Sequence, residues 1–235
     1  EGLWIGNISK GVLSSVYNLV KAHNCRALLY NDNQIFYGTY DSICEYNLGY
    51  RKKLNDVGHI HSIDKKNQNL LITSTVNDTI INFNLTNEKE DFRRRFTSQE
   101  LIIDNSIIFP GAPFINHSVF WKKGIIFNSL NLGAIFFYSK TENKVSVLEY
   151  GFSSPHGLKI NPKTNGIMIV DTCRNNINLF DKDNETLHID VTINDERVDN
   201  LNLKFWLQTA SFHNELIITI DSISRQITLK DFDNF

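Results

Sequence analysis

Three observations in the sequence predict an all-β fold. Helical periodicity is nearly absent along the 235 residues. Short runs of Ile, Val, Phe, Tyr and Leu alternate with polar residues and break at Asn, Asp, Gly and Lys clusters, as half-buried strands and tight turns do. One hairpin pattern then recurs six times: an apolar strand, a small or polar residue, a turn and a second strand. Repeats of this size, each with about four short strands, fit a β-propeller. Six blades are expected, with five as the alternative, in a single domain over residues 1–235.

In chain order the hairpins read LWIGNISKGVLSSVYNL, IFYGTYDSICEYNL, LLITSTVNDTIINFNL, IIFNSLNLGAIFFYSK, IMIVDTCRNNINLFD and LIITIDSISRQITLKDF. Their first strands end at Gly6, Gly38, Thr73, Asn128, Asp171 and Thr219, at spacings of 32, 35, 55, 43 and 48 residues. A small sheet buries little alone, so each blade needs apolar neighbours on both faces. The first hairpin lacks a preceding innermost strand and the last lacks an outermost one. Six blades therefore imply a longer chain, whereas five would let the N-terminal segment complete the last blade. The widest gap, residues 86–113, is expected to hold one outer strand plus an insertion, either a surface loop or a lid over the central pocket.

Composition narrows the function. The net charge of −2 and the pI near 6.4 argue against a nucleic-acid binder. The short Arg93-Arg94-Arg95 cluster reads as a solvated loop face. Cys25, Cys44 and Cys173 have neither metal nor redox spacing, and their sparse, odd count slightly favours a cytoplasmic setting over a disulfide framework. The chain opens with Glu1 rather than Met, which leaves the compartment open. No apolar run is long enough to span a membrane. The chain is expected to be a soluble monomer acting on a small molecule, with a protein partner as the alternative and neither nucleic acid nor membrane involved. No serine-hydrolase elbow, P-loop, dinucleotide fingerprint or clustered-cysteine metal motif is present.

Three histidines occupy one place in the repeat: His61 in GHIHSI, His117 in FINHSVF and His156 in SSPHGLKI. Each has an apolar residue two positions on, at Ile63, Val119 and Leu158. The same alignment reaches Arg26 in CRALLY and Gln208 in FWLQTASF, followed by Leu28 and Ala210. Blades around an axis bring equivalent inner-strand positions together. Three neutral imidazoles would suit a divalent transition metal, zinc or iron foremost, with a coordination position left for water or substrate. Arg26 would hold an anionic group through its planar fork, and Gln208 would hydrogen-bond substrate or metal-bound water. The expected function is a metal-dependent lyase or hydrolase acting on a small polar or anionic substrate in a central funnel. Two alternatives stay open. One is a non-catalytic binding propeller, whose imidazoles only hydrogen-bond loops or channel water. The other is metal-free, histidine-dependent group transfer such as sulfuryl transfer.

Other residues are weaker candidates. His59 would share the face of His61 in an alternating strand and serve as a fourth ligand, or else lie in a solvent-facing loop. His23 and His213 fall in loops, and Trp4, Trp121 and Trp206 read as inter-blade packing.

The stretch SSPHGLKINPKTNGIMIVDTCRNNINLFD resembles one NHL-type repeat of the six-bladed propeller superfamily. It shows Pro-His-Gly, an apolar strand, an Asn-Pro-Lys-Thr-Asn-Gly turn, a strand ending in Asp, then Arg-Asn-Asn and a closing strand. The other repeats match in outline. The resemblance implies a fold rather than an activity, and NHL-type propellers often bind partners on their loop faces. The three-histidine arrangement resembles that of the peptidyl-α-hydroxyglycine α-amidating lyases, which implies zinc at His61, His117 and His156 with Arg26 assisting. The disulfide complement of those secreted lyases is not matched. Arylsulfate sulfotransferases, similar in placing histidines and an arginine in a central funnel, imply the group-transfer alternative. Gluconolactonase-like propellers imply calcium near Asn128 and Asp171, but their Glu is missing here and Asp171-Thr172 reads as a turn cap.

Overall fold

The computed structural model describes residues 2–9, 12–21, 24–103, 111–180, 186–190, 207–213, 216–221 and 227–231. These residues are strands joined by turns, with one 3₁₀ turn at Thr172–Arg174. Contacts divide the chain into two compact units: Glu1–Glu100 with Pro110–Phe120, and Leu101–Phe109 with Trp121–Phe235.

In the first unit, β1 (Gly2–Ser9) and β2 (Val12–Lys21) form a two-stranded antiparallel sheet. Next comes a four-stranded meander of β3 (Ala27–Asn31), β4 (Gln34–Gly38), β5 (Ser42–Glu45) and β6 (Tyr50–Lys53). A second meander follows, of β7 (Ile60–Lys66), β8 (Asn69–Ser74), β9 (Thr79–Asn84) and β10 (Lys89–Arg95). The next strand, β11 (Ile115–Trp121), begins in this unit and heads a third meander with β12 (Gly124–Ser129), β13 (Ala134–Ser139) and β14 (Lys144–Tyr150). The second unit continues with β15 (Pro155–Ile160), β16 (Ile167–Asp171), β17 (Asn176–Phe180) and β18 (Thr186–Asp190). A three-stranded sheet of β19 (Leu207–His213), β20 (Leu216–Asp221) and β21 (Ile227–Asp231) ends the described chain.

The burial of each strand follows from its place in its sheet. The middle strands β8 and β9 are buried almost throughout, because apolar residues occupy both of their faces. The outermost strand β14 alternates exposed and half-buried residues, the period-2 signature of a strand with one wet face. Turn chemistry matches as well. Asn31 pairs with Gln34, so Asp32 and Asn33 form a two-residue hairpin loop; their φ values of 50° and 60° are those of a type I′ turn. Gly38, one of the small residues that mark the repeat, is glycine for lack of room: a Cβ there would lie 2.5 Å from Ile60 Cγ2 and 3.0 Å from Ala27 Cβ.

Each unit has its own apolar core. Phe36, Ile43, Ile60, Leu70, Ile72, Ile81 and Phe83 fill the first. Met168, Val170, Ile177, Leu207, Ala210 and Ile217 form a core in the second.

Four of the sheets are complete four-stranded blades, and hairpins two to five of the sequence are the middle strands of those blades. The sixth hairpin is β20–β21, behind β19. Among the described residues, β1 and β2 pair only with each other and do not complete the sheet of β19–β21. Within 86–113, Lys89–Arg95 is the outer strand β10, while 104–110 lie outside the described residues. Arg93, Arg94 and Arg95 therefore sit on an edge strand rather than a loop. Arg93 pairs with Glu90 at 2.7 Å and Arg94 with Glu100 at 2.7 Å. His213 ends β19 instead of lying in a loop, since the apolar run of this strand extends through Phe212. His23 and Trp206 lie outside the described residues.

Candidate functional site

The aligned histidine position coincides with a recurring irregularity of the ladder. In the β7–β10 sheet Ile60 pairs with Ser74 and Ser62 with Thr73, so His61 is an extra residue between two ladder steps. Gln208 is extra in the same way between the Leu207–Asp221 and Thr209–Ile220 pairs. In the β15–β18 sheet the register slips between His156 and Lys159, where Gly157 has a φ of 56°. A bulge breaks the alternation of side chains and re-aims the residue it carries, which is why bulges gather beside functional sites.

His61 and His117 meet within the first unit. Their rings lie 5.1 Å apart between centroids, at an interplanar angle of 81°, an edge-to-face contact. The residue after each histidine is a serine, and these serines account for the meeting. Ser62 Oγ–H donates to Thr73 Oγ1 at 2.8 Å, and Thr73 Oγ1 lies 2.6 Å from Ser118 Oγ. The Ser118 N–H donates back to Ser62 Oγ at 3.2 Å. All three hydroxyl residues are buried. One step outward, the Phe120 N–H donates to Asp64 Oδ2 at 2.8 Å. This buried polar seam fixes β7 beside β11 and so sets the distance between the imidazoles (hydrogen bonds away from water hold geometry tightly).

His156 has a different setting. It is buried, and its Nδ1 lies 3.2 Å from Ser154 O and 2.9 Å from Thr172 Oγ1. Thr172 Oγ–H donates to Leu207 O at 2.6 Å. Burial holds the pKa of His156 below the usual imidazole value, partly offset by the Ser154 carbonyl. Asp171, fully buried, accepts the N–H groups of Ser153 and Ser154 at 3.0 Å and pairs with Arg174 at 3.3 Å. Its carboxylate thus ties down the Ser153–Ser154 segment rather than capping the 3₁₀ turn it heads, which has no side-chain cap hydrogen bond. Asn128 Nδ2 donates to Pro155 O, which ties β12 to the strand of His156.

The remaining candidates are placed as follows. Arg26 is exposed just before β3, and its N–H donates to Gly38 O at 3.2 Å. The ladder of β3 and β4 is regular, and Leu28 is 53% exposed where Ile63, Val119, Leu158 and Ala210 are buried. Gln208 is exposed on its bulge. His59 precedes β7 with a φ of 53°, so it does not alternate onto the face of His61; its ring stacks edge-to-face on Tyr40 at 4.9 Å. Trp121 donates its indole N–H to Asn165 O at 3.0 Å and packs on Phe137. The sequence reading missed Thr172 and the serines beside the histidines. Their signal was the serine after His61 and after His117, and the hydroxyl residue just after the strand Ile167–Asp171.

His61 and His117 could supply two imidazoles to one ion. Among the described residues, no group of three or more His, Cys, Asp or Glu side chains is gathered for a metal. A cleft of about 660 Å³ lies elsewhere in the first unit, against Tyr37, Cys44 and Arg51, and none of the five candidate residues lines it. Burial pushes Tyr37 up to about 12 and also raises the Cys44 thiol, so neither is an ionised nucleophile at neutral pH.

Compared by sequence, the chain matches no family model and no curated protein. Compared by structure, it is similar to many solved structures. The nidogen chain of a nidogen–laminin complex aligns with a TM-score of 0.70 at 10% identity, over 98% of this chain and 86% of that one. A virginiamycin B lyase from Staphylococcus aureus, a catalytically inactive histidine-to-alanine form with quinupristin, aligns at 0.60 and 12% identity, over 96% and 75%. A protein of unknown function from Bacteroides thetaiotaomicron aligns at 0.65 and 10% identity, over 93% and 63%. The chain has the all-β propeller fold. At these identities the likeness carries the fold alone.

Proposed function

We propose that this propeller is an enzyme of the lyase or hydrolase type, acting on a small polar or anionic substrate through His61 and His117. The observation that carries this reading is their ring contact at 5.1 Å, held by the buried Ser62–Thr73–Ser118 seam. Two adjacent imidazoles can divide the work of general base and general acid. Arg26 orients the anionic group and Gln208 hydrogen-bonds the substrate. A zinc or iron ion held by His61 and His117 would act as a Lewis acid on the substrate. The reading is supported by the lyase of like fold that is inactive without one of its histidines.

Elemental analysis beside the His61→Ala/His117→Ala/His156→Ala variant tests the metal. About one equivalent of zinc or iron, absent from the variant, is expected. No metal in either protein after reconstitution would sink that part and leave direct imidazole catalysis. A second reading, a non-catalytic binding propeller, is favoured by the lack of a third gathered ligand among the described residues and by the likeness to nidogen. It requires partner binding that survives the triple substitution.

A further inference from the structure

We propose that Thr172 is a positioning residue that holds His156 in its Nδ1–H tautomer, with the lone pair of the neutral ring on Nε2. It follows from counting protons. Nδ1 faces two oxygens, Ser154 O at 3.2 Å and Thr172 Oγ1 at 2.9 Å. A carbonyl oxygen can only accept. The hydroxyl of Thr172 has one proton, and that proton is directed to Leu207 O at 2.6 Å. Thr172 Oγ1 is therefore an acceptor towards the ring, and the hydrogen between them belongs to Nδ1. In the neutral imidazole the lone pair is then on Nε2.

The surroundings hold this arrangement in place. Thr172 is fully buried and His156 nearly so, so water does not substitute for the hydroxyl. The Thr172 N–H donates to the same Ser154 carbonyl at 3.1 Å, using its second lone pair. Asp171 anchors the N–H groups of Ser153 and Ser154 at 3.0 Å, which fixes the carbonyl in turn. The chain from His156 through Thr172 also ends on Leu207 O, beside the bulge that carries Gln208. Thr172 thus supports two of the candidate residues while belonging to neither of their strands.

The test is long-range ¹H–¹⁵N correlation on protein labelled at its seven histidines, near neutral pH and without ligand. One ring is expected to show a protonated Nδ1 and an unprotonated Nε2, and its signals should vanish in His156→Asn. Thr172→Val removes the shorter of the two acceptors and leaves only Ser154 O at 3.2 Å, so the pattern should change to a mixture of tautomers, and Thr172→Ser should restore it. A His156 ring in the Nε2–H form in the wild type would overturn the proposal, as would an unchanged pattern in Thr172→Val. If Thr172→Val fails to fold, the wild-type and Thr172→Ser spectra still decide the tautomer.

Discussion

Burial decides the charge of His156, and a stability dependence on pH follows. In the unfolded chain the ring titrates near 6.5; in the folded protein burial lowers that value. As pH falls below 6.5 the unfolded chain takes up a proton that the folded one resists. The contribution is therefore complete above about 6.5 and is lost as pH falls from there through the lower folded pKa. The urea midpoint is expected to be lower at about pH 5.5 than at about pH 7.5, and His156→Gln should narrow that difference. An equal drop in the variant would assign the effect to other groups. At the His61–His117 contact the deciding residue is Thr73, which neither histidine touches in sequence. Thr73→Val removes the oxygen that binds both Ser62 and Ser118 and leaves two buried hydroxyls short of a partner. A loss of about 1–3 kcal/mol is expected in denaturant titration. The imidazole–imidazole contact should weaken with it, seen as a reduced nuclear Overhauser effect between the two rings. Unchanged stability would mean that the seam does not hold the strands.

Turns decide whether each strand reaches its partner in register, and Gly133 shows how tightly. It connects β12 to β13 with a φ of 59°, and its carbonyl accepts the Phe152 N–H at 3.0 Å. A Cβ there would run into the backbone oxygen of Phe152, which cannot rotate away as a side chain could. Gly133→Ala combines a left-handed backbone with that clash and should cost about 1–3 kcal/mol, read as a lowered thermal midpoint; a neutral effect would show that the turn can relax. Elements of this kind were legible in the sequence because alternation and turn residues act locally. LLITS, GIIFNS and IMIVD are middle strands because their apolar runs suit two buried faces. The aligned position of His61, His156 and Gln208 was legible from the apolar residue two places on in each strand, at Ile63, Leu158 and Ala210. What period-2 reasoning misplaced was His59, whose positive φ just before β7 resets the alternation that would have put it beside His61. Arg26 aligned in sequence yet lacks the bulge of its counterparts, because a ladder slip depends on the pairing partner and leaves no residue signature. Thr172 was legible only as a hydroxyl after β16; the role proposed for it draws on three segments, at Ser154, His156 and Leu207, that only folding brings together.

A meander repeats a local design, so the stability of the whole chain is expected to be divided rather than uniform. The chain falls into two compact units, each with its own apolar core. Ile72 is fully buried in the first, among Ile60, Leu70 and Ile81, and Met168 is fully buried in the second. Ile72→Ala deletes buried methyl groups from a close-packed site and should cost about 2–5 kcal/mol through lost transfer energy and the cavity left behind. Amide hydrogen exchange shows where that loss falls. If the units open separately, exchange accelerates at β7, β8 and β9 while β16 and β17 keep their wild-type protection. Met168→Ala should give the converse, with protection lost at β16, β17 and β20. The two variants also separate fold from function. His61 and His117 belong to the first unit and His156 to the second, so a small-molecule activity needing all three should fall in both variants. A function confined to the His61–His117 pair should follow Ile72→Ala alone. Equal loss of protection across both units in either variant would show that the chain opens as one cooperative body, and the division into two would then describe contacts rather than energetics.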